Sequence, residues 1–482
     1  MYLGLDLGTS GLKAVLMNAE QEIVATAHAP LEESRPQSGW SEQDPMQWIA
    51  AAETVFDQLK AKAAPQLAAV KGIGLSGQMH GATMLDAQDK PVYPCILWND
   101  TRSHEEAAEL DSIPSFRSAS GSIVFPGFTA PKLLWMRRNK PGLFAKVRRV
   151  LLPKDYLRLW LTGEAVSEMS DASGTSWLDV GNRKWSDDLL AACDLGPEHM
   201  PKLVEGTDAS GGLRAELCQR WGIAGSVVVA GGAGDNAASA VAVGAIKAGR
   251  GFLSLGTSGV LFAASNAYQP APESAVHTFC HALPGRWHQM GVILAATDAL
   301  NWFAKVPGVS SSELAGALGT ELKAPGGALF LPYLGGERTP HNDASVRGAF
   351  LGLSHLADRD ALTQAVLEGV IYGFRDCQEA LTSTGTKLER LTAVGGGSQS
   401  DYWLKLAATV LDIPVERPTA GDFGGAFGAA RLGLTAAEKA DLETVCTVPP
   451  KTECFDPEPQ LKGAFEDAYA RFRSAYLAIR SL

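Results

Sequence analysis

The chain has 482 residues, a length expected of two or three domains rather than one core. Hydrophobic residues make up 46% and charged residues 20%, a composition typical of packed globular domains and not of disordered chains. The net charge is -11 and no long Lys/Arg cluster occurs, which argues against a nucleic-acid or anionic-membrane surface. The seven cysteines are scattered without CxxC spacing, and no apolar run reaches about 18 residues. These features predict a soluble protein of the reducing cytoplasm with neither a zinc site nor a membrane span.

The first predicted element in chain order is a β-hairpin. Two runs rich in strand formers, 2–7 and 12–17, flank the turn Leu7-Gly8-Thr9-Ser10-Gly11. The same five residues recur at 255–259, again between two strand-like runs. Their placement at the head of each half of the chain indicates a duplication. We therefore place a boundary near 244–251 and predict one domain over residues 1–245 and a second over 246–482.

Asp6 lies within the first predicted strand, on the face that it shares with Gly4. A carboxylate inside a strand is costly unless it is solvated, paired or near a cation, and neighbouring glycines leave space for a phosphate to approach. The functional interpretation is a Mg²⁺ or phosphate site in which Asp6 acts through metal-bound water while Thr9, Ser10 and Lys13 face the phosphates. The alternative is an ordinary hairpin with an edge Asp. The second copy of the turn favours the functional interpretation.

Short apolar runs alternate with amphipathic segments of helical length along the rest of the chain, a pattern typical of α/β proteins. The predicted helices include 45–62, 362–381, 402–411 and a C-terminal helix over 465–482, whose aromatic residues recur every three or four positions. The predicted fold class is therefore α/β.

Two polar segments each follow an apolar predicted strand, Gln78-Met79-His80-Gly81 and Trp98-Asn99-Asp100-Thr101-Arg102. Amide, imidazole and carboxylate groups together can satisfy several hydroxyls of a sugar. A single His in such a place is more often structural. The residues alone leave both interpretations open.

Asp235 follows a buried strand-like run and a turn of small residues, and it precedes an Ala-rich helical segment. Asp235 is therefore predicted at a helix N-terminus, where a carboxylate can simply cap the free N–H groups. A cap needs no preceding run of small residues, whereas a base that contacts a substrate hydroxyl needs open space. Kinases use an Asp in this way, so the pattern favours a general base.

Glycine-rich stretches elsewhere suggest alternatives. Residues 72–77 match GxGxxG and 232–237 match GxGxxA, but the first is not followed by a helical pattern, so a dinucleotide-dependent oxidoreductase is disfavoured. The turns at 395–397 and 421–428 each lead into a predicted helix and could cradle phosphates or adenosine. No GK dipeptide exists, which excludes a Walker A loop and leaves the hairpin turns to hold any ATP phosphates. The role of the polar turn with Glu337 and Arg338 stays open between shaping a loop and closing a cleft.

Taken together, these segments resemble the FGGY family of carbohydrate kinases, and the resemblance covers nearly the whole chain. It is carried in order by the segments DLGTSGLKA, WSEQDP, GQMHGATMLD, ILWNDTR, GFTAPKLLW, LLPKDYLRLWLTGE, SDASGTSWLDV, GGAGDNAA, SLGTSG, YLGGERTPH, VLEGVIYGF and VGGGSQSDYW. The resemblance implies two ribonuclease-H-like lobes of the actin and Hsp70 type, with ATP, Mg²⁺ and sugar meeting in the cleft between them.

The resemblance also implies roles for individual residues. Asp235 would be the catalytic base and Asp6 the carboxylate near Mg²⁺. The implied sugar contacts and neighbours are Met79, His80, Trp98, Asn99, Asp100, Arg102 and Asn236, and the implied ATP contacts are Thr9, Ser10, Lys13, Gly256, Thr257, Gly396 and Gly397.

At segments 78–81 and 98–102 the resemblance implies D-xylulose, rather than glycerol or gluconate, as the acceptor, with D-xylulose 5-phosphate as the product in xylose catabolism. Asn236 stands where many members of the family carry Gln, which bears on the stereochemical preference. Another ketose or polyol such as ribulose, a silent sugar sensor, and a homodimer remain open.

Overall fold

The computed structural model describes residues 1–418, 424–449 and 452–480. Its strands are β1 Tyr2–Leu7, β2 Gly11–Met17, β3 Ile23–Pro30, β4 Glu42–Gln43, β5 Gly72–Gly77, β6 Thr83–Leu85, β7 Cys95–Ile96, β8 Arg149–Leu151, β9 Val166–Glu168, β10 Leu178–Asp179, β11 Lys184–Trp185, β12 Lys202–Val204, β13 Ala209–Gly212, β14 Val228–Ala230, β15 Ala233–Gly234, β16 Gly249–Leu255, β17 Gly259–Ser265, β18 His277–Cys280, β19 Trp287–Ile293, β20 Leu329–Leu331, β21 Ala349–Leu351, β22 Leu388–Val394, β23 Val415–Pro418 and β24 Thr452–Phe455.

Its helices are α1 Pro45–Ala68, α2 His104–Asp111, α3 Pro114–Ser120, α4 Thr129–Asn139, α5 Pro141–Phe144, α6 Pro153–Thr162, α7 Met169–Ala172, α8 Asp187–Ala191, α9 Ala215–Trp221, α10 Asp235–Val243, α11 Thr297–Ala304, α12 Ser311–Ala317, α13 Arg359–Ser383, α14 Asp401–Leu411, α15 Gly425–Glu438, α16 Leu442–Val445 and α17 Pro459–Ile479.

Two large sheets share one strand pattern. The first runs β13-β14-β5-β1-β2-β3, and the second runs β18-β19-β17-β16-β22-β23-β24. In each sheet, the first strand of a hairpin pairs antiparallel with the second strand of that hairpin and parallel with a later strand. In the first sheet β1 pairs with β2 and with β5, and in the second sheet β16 pairs with β17 and with β22. This confirms the predicted α/β class with two lobes and both predicted hairpins.

Helices cover both faces of the first sheet. On one face Leu3, Leu5 and Leu7 of β1 enter a core shared with α1, α6 and α9. The opposite face carries the glycines of β1 and β5 and packs against α15, a helix from the C-terminal half of the chain. A Cβ atom on Gly4 would lie 1.8 Å from the backbone oxygen of Ala426. The space at Gly4 that the sequence analysis assigned to an approaching phosphate is therefore filled by a helix.

The predicted helices exist with shifted ends. The segment 45–62 extends to Ala68 across a kink at Ala63, 362–381 begins at Arg359, and 402–411 begins at Asp401. The C-terminal helix spans Pro459–Ile479 and buries Phe465 and Phe472 against the core of the second sheet, whereas residues 481 and 482 lie outside the described residues. Among the helices described, none combines the length and apolar character needed to cross a bilayer.

Candidate active site

Asp235 begins α10, as predicted, and its carboxylate lies beside that of Asp6. Oδ1 of Asp235 accepts hydrogen bonds from the backbone N–H of Asn236 at 2.7 Å and from Asn236 Nδ2 at 3.0 Å. Burial, and then the negative charge of Asp6, raise the pKa of Asp235 to about 6, although both Asn236 hydrogen bonds oppose the shift. Asp235 is therefore mostly ionised at neutral pH and yet basic enough to accept a proton.

Asp6 is partly buried at the end of β1. The Ser76 hydroxyl donates to Asp6 Oδ1 at 2.8 Å, and Lys13 lies opposite Asp6 in the β1–β2 register. A Cβ on Gly425, the first residue of α15, would lie 2.9 Å from Oδ1 of Asp6, so the helix begins directly against this carboxylate. Asp6 thus faces the positive end of a helix dipole, a favourable place for negative charge.

Arg158 of α6 supports the loop that leads to Asp235. Its fully buried guanidinium donates to the carbonyl oxygens of Ala230 at 2.7 Å and Gly231 at 2.6 Å, and to the hydroxyl of Ser210 at 2.6 Å. A planar, charged donor set of this kind fixes several acceptors at once. Arg158 therefore holds the backbone just before the Gly-rich turn in one position.

A buried ionic cluster lies next to Arg158. Nζ of Lys154 is 2.8 Å from both Asp155 and Asp171 and 3.4 Å from Glu168, and all four side chains are buried. Burial alone would lower the pKa of Lys154, but the three carboxylates outweigh it and raise that pKa. Ser170 connects the cluster to the site, because its hydroxyl donates to Glu168 and accepts from the backbone N–H of Gly234 at 3.0 Å.

Met79 and His80 form a wall beside Asp235. The Met79 side chain packs against Gly234, where a Cβ would lie 2.8 Å from its sulfur. Nδ1 of His80 lies 2.7 Å from the carbonyl oxygen of Gly174, and the ring stacks on Phe128 at 4.4 Å. Burial, opposed by the Gly174 hydrogen bond, lowers the pKa of His80 to about 3. The ring is therefore neutral with its proton on Nδ1, so Nε2 is a hydrogen-bond acceptor.

Lys132 fixes the conformation of this wall. His80 has a φ of 69°, in the left-handed region, and its carbonyl accepts hydrogen bonds from Lys132 Nζ at 2.9 Å and from the Thr129 hydroxyl at 3.1 Å. Nζ of Lys132 also donates to the carbonyl of Gly127 at 2.8 Å. Complete burial lowers the pKa of Lys132 to about 7. This lysine therefore joins the His80 turn to the segment that carries Phe128.

Thr9 is engaged by the two predicted sugar segments. Trp98, about half exposed, donates from Nε1 to the Thr9 hydroxyl at 2.9 Å, and that hydroxyl lies 3.0 Å from Oε1 of Gln78. Gln43 closes the network by donating to the Thr9 carbonyl at 2.6 Å and accepting from Gln78 at 2.9 Å. Ser10, next in the turn, is exposed. The first turn and the Trp98 segment thus form one structure.

The other polar side chains of the 98–102 segment bind to groups within the protein. Asp100 and Arg102 are buried and pair at 2.7 Å, and Arg102 also reaches Glu42 at 2.7 Å while its guanidinium lies 3.6 Å above the ring of Trp40. Asn99 donates to Glu33 at 3.0 Å. The structure brings Trp98 to the first turn but directs the charges of Asp100 and Arg102 into an ion pair.

The second turn and the Gly395–Gly397 turn lie at the second sheet. Carbonyls of Gly256 and Thr257 accept the first free N–H groups of α11, and Thr257 is exposed. Gly396 has open space where a Cβ would be, whereas Gly397 packs on Leu255 and Trp403. Both glycines line a cavity of about 550 Å³ whose other walls come from α11, α12 and α14. Its volume is in the range of small-molecule pockets.

Most other lining groups of this cavity are uncharged, among them Thr297, Asn301, Ser311, Ser312 and Gln399. The exception is Asp401, whose carboxylate pairs with Arg417 at 2.8 Å. These residues are not recognisable in the sequence, because short helices with Ser, Asn and Gln on one face have no chemical signature. Of the 421–428 turn, residues 421–423 lie outside the described residues, and 424–428 open α15.

The protein side chains at this site would hold a metal ion only together with the phosphates of a bound nucleotide. Within residues 1–418, 424–449 and 452–480, no group of three or more His, Cys, Asp or Glu side chains is placed to hold an ion. Asp6 and Asp235 supply carboxylate oxygens, and Mg²⁺ bound with a nucleotide is commonly held by one or two carboxylates, waters and the phosphates. The donor set therefore fits a Mg²⁺ that enters with phosphates.

Comparison with known proteins places the chain in a family. Residues 1–242 match the N-terminal domain, and residues 251–437 the C-terminal domain, of the FGGY family of carbohydrate kinases. The xylulose kinase of Escherichia coli is 47% identical over 480 residues, which are 99% of this chain and 98% of that protein. A crystal structure of a xyloylose kinase from Brucella ovis has 61% identity and a TM-score of 0.98, covering 100% of this chain and 99% of that one.

The xylulose kinase from Rhodospirillum rubrum has 30% identity and a TM-score of 0.92, covering 100% of this chain and 99% of that one. These matches span both lobes, so the likeness includes both sheets and the helices between them. The chain therefore belongs to the FGGY family of carbohydrate kinases.

Proposed function

We propose that the protein transfers the γ-phosphoryl group of ATP to the O5 hydroxyl of D-xylulose. The observation that carries the chemistry is the position of Asp235 at the start of α10, beside a second carboxylate that helps to raise its pKa to about 6. The choice of sugar is supported by the relatives, which are named xylulose kinases and cover nearly the whole chain. The proposal includes a boundary between the two domains at residues 245/246 and a cytoplasmic location.

In the proposed mechanism Asp235 accepts a hydrogen bond from the O5 hydroxyl and orients that oxygen toward the phosphorus. As the O5–P bond forms and the bond to the β-phosphate oxygen breaks, the O5 proton passes to the Asp235 carboxylate and ADP leaves. Asn236 holds the carboxylate in place. Nε2 of His80 accepts a hydrogen bond from another sugar hydroxyl, and Met79 packs between the sugar and the Gly-rich turn.

The nucleotide is assigned to the second lobe. The 550 Å³ cavity beside Gly396 and Gly397 would take the adenosine, and its lining, uncharged except for Asp401, suits a neutral purine and ribose. The phosphates would then lie between the turns that contain Thr257 and Thr9. Mg²⁺ bound to these phosphates would spread their negative charge, and Asp6 would hold it through water. Asp100 and Arg102 position Trp98 rather than contact the sugar.

The test measures ADP release with Mg-ATP and a panel of D-xylulose, D-ribulose, L-ribulose, glycerol and gluconate. We expect a selective response to D-xylulose, loss of turnover of at least about 10³-fold in Asp235→Asn, and retained sugar binding in that variant by calorimetry. Asp467→Asn, an exposed carboxylate on α17, is the matched control and should be normal. Near-normal turnover of Asp235→Asn would remove the base, and a response to a different sugar would replace the acceptor.

A further inference from the structure

The loop that carries Glu337 and Arg338 is fastened to the edge of the second sheet. Oε1 of Glu337 accepts hydrogen bonds from the backbone N–H groups of Leu294 at 3.0 Å and Arg338 at 2.7 Å. The Thr339 hydroxyl accepts the N–H of Val292 at 3.0 Å. The main chain on both sides of Arg338 is therefore fixed, and so is the point from which its side chain extends.

The guanidinium of Arg338 has little polar contact with the protein. Its centre lies 4.7 Å from the ring centroid of Phe125, and Nη1 is 3.5 Å from Nε2 of His277, at the outer limit of a hydrogen bond. Within the described part of the chain, no carboxylate lies within 4 Å of it. Glu337 does not neutralise it fully, because burial raises the pKa of that carboxyl to about 8. A partly buried guanidinium has five N–H donors and is rarely left without acceptors.

The guanidinium of Arg338 lies against the aromatic wall of the candidate sugar site, because it contacts the ring of Phe125. Phe125 lies 5.7 Å from Phe128 in an edge-on arrangement, and Phe128 stacks on His80 at 4.4 Å. The positive charge of Arg338 contributes to lowering the pKa of His80, after burial and the charge of Lys132. The order along this wall is Asp235, Met79, His80, the two phenylalanines and then Arg338.

We propose that Arg338 binds the acceptor at the end remote from the transferred phosphoryl group. A 2-ketose presents a carbonyl oxygen at C2 and a hydroxyl oxygen at C1, and two N–H groups of one guanidinium match such a pair of neighbouring oxygens. This inference rests on the proposed function. It adds that one acceptor contacts both lobes, through His80 from the first and Arg338 from the second.

The test compares two acceptors in wild type, Arg338→Gln and Arg338→Lys. D-xylulose has the C2 carbonyl, and xylitol has a hydroxyl there. We expect Arg338→Gln to raise KM for D-xylulose, and its calorimetric Kd without ATP, by about 10- to 100-fold, the loss of one charge-assisted hydrogen bond. The Kd for xylitol, whose C1 and C2 hydroxyl oxygens can still accept, should rise by a smaller factor than the Kd for D-xylulose. The KM for ATP should stay constant, and Arg338→Lys should recover part of the loss.

The matched control is Arg347→Gln, which removes an exposed guanidinium from the same loop region and should leave every constant unchanged. A loss for D-xylulose that is matched by an equal rise in the KM for ATP would show that Arg338 only maintains the wall, and unchanged D-xylulose binding in both folded variants would refute the contact. If wild type released no ADP with any sugar of the panel, the proposed function would fail instead, which is a different result. A thermal-unfolding curve for each variant separates these outcomes from misfolding.

Discussion

The close approach of α15 to the first sheet predicts a large effect of Gly74→Ala. A Cβ on Gly74 would lie 1.8 Å from the backbone oxygen of Ala429 and 2.6 Å from its carbonyl carbon. The oxygen would have to retreat by about 1.2 Å to reach the 3.0 Å below which Cβ contacts essentially never occur. No side-chain rotation relieves a contact with backbone, so the whole helix must shift.

The expected cost is at or above the ~3 kcal/mol upper end of ordinary overpacking. For a lobe of this size that cost corresponds to a fall in Tm of about 6–12 °C. The control is Gly463→Ala on the exposed face of α17, where a Cβ meets nothing within 4 Å and should stabilise the helix by about 0.5–1 kcal/mol. Calorimetric unfolding of both variants is the assay, and a Gly74→Ala protein as stable as wild type would refute the packing argument.

Two further predictions concern the candidate site. Because Asp235 must be ionised to act as a base and its pKa is about 6, kcat/KM should fall about tenfold per pH unit below pH 6. Asn236→Leu removes a hydrogen bond that lowers this pKa, so it should move the acidic limb of the pH profile to higher pH. An acidic limb near pH 4 in the wild type would contradict the assignment of Asp235 as the base. The folded state raises that pKa above the ordinary 3.8, so ionised Asp235 costs stability above pH 6, and Asp235→Asn should unfold at a higher temperature than wild type at pH 8 but not at pH 4. Lys132→Met should raise the KM for the sugar with little change in the KM for ATP, because it removes the hydrogen bond to the His80 carbonyl. The control Lys202→Met, at an exposed lysine, should change neither KM. Equal changes in both KM values for Lys132→Met would instead indicate a general loss of structure.

The sequence predicts elements well where the signal is local. Asp44 caps α1 by accepting from the Met46 N–H at 2.9 Å, and Pro45 follows it, so the start of this helix is readable. The predicted end at Lys62 immediately precedes the kink at Ala63, because Pro65 has no N–H to donate to the carbonyl of Ala61 and its ring crowds that carbonyl. The helix nevertheless continues after the kink to Ala68, and this continuation depends on tertiary packing that the local sequence does not show.

Glycine shows where sequence reasoning stops. Glycines next to Asp6 indicate a close approach, but the pattern does not say what approaches. Here the backbone of α15, from the C-terminal half of the chain, fills the space at Gly4 and Gly74. Lys132 and Arg158 are missed for a related reason. Most of their partners are backbone carbonyls, which carry no residue identity, so neither the lysine nor the arginine stands out in the sequence.

The same glycine packing explains how the two carboxylates come together. Asp235 begins α10, and Asp6 lies against Gly425 at the beginning of α15. These helices cross in backbone contact, because a Cβ on Gly428 would lie 1.9 Å from the carbonyl oxygen of Ala238. Two positive helix ends therefore converge where a transferred phosphoryl group would carry its negative charge. Since α15 comes from the C-terminal half of the chain and rests on the first sheet, any shift of that helix would change the surroundings of Asp6 and Asp235 together.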